Sequence, residues 1–191
     1  MGDAFHRNRR RTSAVAAGLF FLLALPAPVL AQQSQPTQPA QDCDKGQWSL
    51  ERDRVALGEP RKPDLGNGFK LALPTDAAII FQMPAMAGAN LPHPPTKPQD
   101  RGYGGILRLS VPEAPGVWQI TVPAYVWVDV FVGGKPLSPL AFTGPSNCPG
   151  VRKSLRYRLP PGEVVLQLAG AEEQRMAIFI DRVENKPARP R

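Results

Sequence analysis

Six stretches of this chain alternate in character with period two, and that repetition limits the fold more than any other feature. Leu107, Leu109 and Val111 alternate with Ile106, Arg108 and Ser110. The same pattern returns over 117–122, 125–132, 154–159, 163–168 and 176–181. Side chains on a strand point to opposite faces in turn, so each run reads as a strand with one face in a core. Phe69–Leu73 and Ala77–Gln82 add two weaker candidates, giving about eight strands. Pro112-Glu113-Ala114-Pro115-Gly116, Gly133-Gly134 and Pro160-Pro161-Gly162 lie between runs and read as turns joining antiparallel neighbours. The 23 prolines among 191 residues argue against long helices. The expected fold is all-β, an antiparallel β-sandwich or jelly roll, with outer faces in water and no helix longer than a turn beyond the N-terminal segment. Met83–Pro98 holds five prolines and reads as a long crossing loop.

The N-terminus carries Arg7, Arg9, Arg10 and Arg11, then an apolar run from Ala14 to Leu30 and small residues ending at Ala31. This is the layout of a cleavable export signal, with the cut expected after Ala31. The run is at the short edge of what a spanning helix needs and contains Pro26 and Pro28, so cleavage is favoured over an uncleaved anchor. No cysteine stands near the cut, which disfavours a lipid anchor, and Arg9-Arg10 leaves the choice of export route open. The expected segments are 1–31 as signal, 32–63 as a Gln/Pro-rich linker and irregular N-terminal arm, 64–184 as the β domain and 185–191 as a disordered tail. With the signal removed, the formal net charge of +7 falls to about +4. That is an ordinary surface charge and gives no reason to expect nucleic acid. The membrane enters only during export.

Cys43 and Cys148 form an even pair in a chain read as exported, which predicts a disulfide. The implied compartment is the periplasm or the exterior.

Two segments could carry a site. Tyr125, Trp127, Asp129 and Phe131 share one face of a strand whose valines face the core. Rings beside a carboxyl could stack and hydrogen-bond a sugar. The competing reading is a central strand covered on both faces, with Asp129 bonded to a neighbouring loop, and β-propensity alone favours it. The second segment is Gly144–Lys153, where a tight loop holding Cys148 is followed by Arg152 and Lys153. Loop amides and cations of this kind can bind an anion; the alternative is a stapled loop with solvated charges. His93, among prolines, reads as a loop residue, and Glu172-Glu173 as a solvated tip. Nothing marks a catalytic residue, a metal site or a cofactor motif: no nucleophile accompanies His93, and Gly102-Tyr103-Gly104-Gly105 precedes no helix.

The opening strand from Gly104, Pro115-Gly116-Val117-Trp118-Gln119-Ile120, Val126-Trp127-Val128-Asp129-Val130, Gly133-Gly134-Lys135-Pro136-Leu137, Cys148-Pro149-Gly150-Val151-Arg152-Lys153 and Leu159-Pro160-Pro161-Gly162 together resemble a group of short exported proteobacterial proteins. That group is uncharacterised, and some members bear the label homogentisate 1,2-dioxygenase. Such an enzyme holds iron with two histidines and a carboxylate, whereas only His93 lies beyond the expected cut. A more distant similarity, of fold alone, runs to pre-peptidase C-terminal and carbohydrate-binding modules. The expectation is a non-enzymatic binding or accessory module for a glycan, a small anion or an envelope protein. The alternatives are an envelope structural or protein-interaction domain, and an enzyme.

Overall fold

The structure, a computed structural model, describes residues 43–59, 64–114 and 116–183. The expected signal segment, Gln/Pro-rich linker and tail lie outside the described residues. Among the described residues eleven strands follow one α-helix, α1 (Glu51–Gly58): β1 (Asp64–Leu65), β2 (Lys70–Ala72), β3 (Ile79–Gln82), β4 (Tyr103–Val111), β5 (Gly116–Val122), β6 (Trp127–Val132), β7 (Lys135–Pro136), β8 (Ala141–Thr143), β9 (Lys153–Leu159), β10 (Gly162–Ala171) and β11 (Arg175–Arg182). They form a six-stranded sheet, β1-β3-β11-β5-β9-β8, and a five-stranded sheet, β2-β4-β10-β6-β7. The protein is an all-β sandwich; the two sheets share no strand, so it does not close as a barrel.

Each alternating run is a strand. Trp118 and Ile120 of β5, Tyr157 and Leu159 of β9, Leu107 and Leu109 of β4 and Leu166 and Leu168 of β10 join one buried cluster between the sheets. Full burial of a large apolar side chain stabilises by about 1.5–3 kcal/mol, so this cluster is the main source of cohesion. The additional strands β1, β7 and β8 have two or three residues each, too few to display a period. Long neighbours are antiparallel, whereas the short edge strands β1 and β2 run parallel to β3 and β4.

Two of the three turns do not join hydrogen-bonded neighbours. β4 pairs with β10 and β5 with β9, so the segments at 112–116 and 160–162 carry the chain from one sheet to the other. The ladder ends at Gly162 opposite Val111 and resumes at Gly116 opposite Leu159. A two-stranded ribbon thus folds across the sandwich as a unit. Only Gly133-Gly134 closes a hairpin, between β6 and β7, with φ of 55° and 77°. Positive φ at both central residues is what a twist-compatible two-residue turn requires.

The outer faces are not left to water, because their polar residues find protein partners. Over the six-stranded sheet, α1 lowers Asp53 onto β5, where Gln119 Nε2 donates to Asp53 Oδ2 at 2.6 Å and Thr121 Oγ1 donates to the same oxygen. Leu50, Leu57, Phe179 and the Cys43–Cys148 disulfide form a second apolar cluster there. The arm expected to be irregular is therefore helical over two turns and packed. Its buried face carries Asp53 and Leu57, so apolar periodicity could not announce it. Over the five-stranded sheet runs the proline-rich loop, as a covering layer. Gln167 Nε2 donates to the His93 carbonyl at 3.0 Å, and the His93 ring stacks on Phe131 at 4.2 Å.

Candidate functional site

β7 and β8 are consecutive in the chain, and each ends its own sheet. Residues 137–140 therefore cross from one sheet to the other along an open side of the sandwich. A cleft of about 720 Å³ lies there, a size suited to a small organic ligand. Tyr125, Trp127, Asp129, Arg152 and Lys153 all line it. Two segments read separately in the sequence thus meet at one place.

The Trp127 side chain starts β6, and Asp129 follows on the same face. Trp127 Nε1 donates to Asp129 Oδ1 at 3.0 Å and lies 2.9 Å from Thr96 Oγ1. The Thr96 backbone amide donates to Asp129 Oδ2 at 3.0 Å, and the Thr96 hydroxyl donates to Oδ1. Asp129 is buried and engaged by the covering loop, which is the second of the two readings of this strand. Trp127 keeps part of its surface open, and Tyr125 stands exposed in the loop before β6.

Three cations converge on this end. Lys97 Nζ lies 5.5 Å and Lys153 Nζ 5.4 Å from the centre of the Trp127 ring, both within cation–π range. Arg152 is exposed beside them, its backbone amide bonded to the Val122 carbonyl at 2.9 Å. Burial, then the neighbouring Arg152, brings Lys153 down to about 8 against the pull of Asp129, with Lys97 lowering it further. Tyr157 is fully buried in β9 and also lines the cleft. Burial and the nearby Asp129 push its phenol well above the usual range, so it remains a neutral hydrogen-bond donor. Pro136, Leu137, Pro139, Phe142 and Leu155 supply the apolar remainder.

Thr96, Lys97, Tyr157 and Phe142 were not legible as site residues. Thr96 and Lys97 lie about thirty positions from Trp127 in a segment marked only by prolines, and Tyr157 reads as an ordinary core residue. The disulfide joins Cys43 to Cys148 with Cα atoms 4.8 Å apart, and so fixes the loop that leads to Arg152. Among the described residues no group of three or more His, Cys, Asp or Glu side chains is placed to hold a metal ion, and no helix is long and apolar enough to cross a membrane. No protein-family model matches the chain, and no match was found among curated proteins or solved structures.

Proposed function

We propose that this protein is an exported, non-enzymatic binding or accessory module whose ligand occupies the cleft beside β7 and β8. The observation that carries the reading is the indole of Trp127, open to the cleft and approached by two lysine ammonium groups at 5.5 and 5.4 Å. A half-open ring with cations against it and apolar walls beyond is a binding surface. Export is supported by the disulfide, which persists in oxidising compartments, and by the charge and hydropathy pattern of residues 1–31.

A thermal-shift screen of the oxidised protein against glycans, organic anions and divalent metals tests this. A ligand that prefers the folded state stabilises it by about 2.7 kcal/mol at a hundredfold excess over its dissociation constant. The expected result is saturable stabilisation that Trp127→Ala abolishes while the variant stays folded. A hit that Trp127→Ala leaves untouched would place the ligand elsewhere. Envelope-protein pairing is a second reading, favoured by exposed Leu140 and Phe142 at the β8 edge. It predicts capture of an envelope protein that Phe142→Ser abolishes.

A further inference from the structure

We infer that the ligand of this cleft is an organic acid with an apolar body, its anionic group held by Lys97, Arg152 and Lys153 and its body lying along Trp127 and the Leu137–Phe142 side. The inference rests on the cleft being a binding site and names what it binds.

Charge comes first. Among the described residues none of the three cations has an ion-pair partner. The acid that acts on Lys153 is Asp129, whose two oxygens accept from the Thr96 amide, the Thr96 hydroxyl and Trp127 Nε1. One carboxyl, already engaged, thus faces three positive groups. Burial first, and then the neighbouring Arg152 and Lys97, hold Lys153 below the usual lysine range. An anion arriving there would relieve the repulsion and gain charge-assisted hydrogen bonds.

Tyr157 is the second observation. Its side chain is fully buried and lines the cleft, and its hydroxyl has no hydrogen-bond partner among the described residues. That hydroxyl keeps contact with solvent in the cleft, so it is open to a ligand. A phenol held neutral can donate to an anionic oxygen placed there.

The same geometry argues against a neutral sugar. Sugar hydroxyls need acceptors as well as a ring to stack on, and the acceptor carboxyl offered by the sequence, Asp129, is occupied. Apart from Ser138, the wall made by Pro136, Leu137, Pro139, Phe142 and Leu155 is apolar. It suits a hydrocarbon body.

Calorimetric titration of the oxidised protein with octanoate, octyl glucoside, acetate and cellotetraose tests the inference. Octanoate should bind saturably, at least tenfold more tightly than either octyl glucoside or acetate, and more weakly as salt rises. Lys153→Met and, separately, Lys97→Gln should each weaken octanoate by about tenfold while thermal unfolding confirms that both fold. Equal binding of octanoate and octyl glucoside, or octanoate affinity indifferent to both variants, would overturn the inference. Cellotetraose binding with octanoate inert would overturn it and leave the binding reading intact. Binding to phosphatidylglycerol vesicles without binding of octanoate would assign the cations to a membrane surface instead. No binding of any of these, in a protein that also fails the wider screen, would remove both readings.

Discussion

On the outer face of the six-stranded sheet, Asp53 is lowered from a helix onto the strands. On the outer face of the five-stranded sheet, Asp129 rises from a strand to grip a loop. Both carboxyls are buried, and both accept hydrogen bonds from a threonine hydroxyl and a side-chain N–H. Their surroundings differ. Asp53 lies over Gln119, Thr121 and Ser154, and burial pushes its carboxyl above the usual carboxylate range. Asp129 has Lys97 and Lys153 nearby and an open cleft beside it. The first is a clamp closed on itself, and the second anchors one wall of a surface that still has unmatched positive charge and a hydroxyl open to the cleft. A buried aspartate is therefore no sign of a site; what it leaves unsatisfied around it is.

The disulfide crosses between the two regions, since Cys43 belongs to the arm over one face and Cys148 to the loop that leads to Arg152. It closes a separation of 105 residues. In the loop-entropy account, removing it as Cys43→Ser/Cys148→Ser costs roughly 4–5 kcal/mol, the largest effect expected here. Denaturant unfolding of oxidised and double-variant protein measures it. A loss of only a few tenths would mean that the arm holds its place without the bridge.

Asp53→Ala should follow, at about 2–3 kcal/mol, because Gln119 and Thr121 lose a buried acceptor. Asp129→Ala should cost about 1 kcal/mol, because water in the cleft can replace the carboxyl. Urea midpoints of the two variants compare them directly; equal losses, or the reverse order, would break the distinction between clamp and site.

A pH series sharpens it. Because the folded-state value of Asp53 is raised, its contribution is fully present below the ordinary aspartate range and is lost as pH rises through the raised value. Asp53→Asn should flatten that acid-side slope in stability against pH. A slope unchanged in this variant would assign it to other carboxyls.

The effect of Trp127→Ala on stability is as small as that of Asp129→Ala, about 1 kcal/mol, since the ring is only partly covered. Its thermal midpoint should move by a few degrees while ligand binding is lost. Global unfolding would mark Trp127 as a core residue.

The long strands were legible because alternation over six to eight residues, repeated six times, has no other simple reading. The path between them was not. Pro160-Pro161-Gly162 signals a turn, but the same residues serve a hairpin or a crossing, and only the pairing of β4 with β10 decides. Helix α1 was hidden because an aspartate occupies its buried face. The site was half legible: Trp127 with Asp129, and Arg152 with Lys153, were each visible as local pairs. Their convergence, and the entry of Lys97 and Tyr157, depend on contacts between distant segments that no local pattern encodes.

The three tryptophans fall one to each region: Trp48 against Arg156 over the six-stranded sheet, Trp118 in the core, Trp127 in the cleft. Their indole N–H signals in a nitrogen-edited NMR spectrum can be followed while octanoate, or whichever ligand the screen returns, is titrated into the oxidised protein. The account predicts that the Trp127 signal shifts saturably while those of Trp48 and Trp118 stay in place. A shift of the Trp48 signal with Trp127 unmoved would contradict it and move the site to the face that Asp53 clamps.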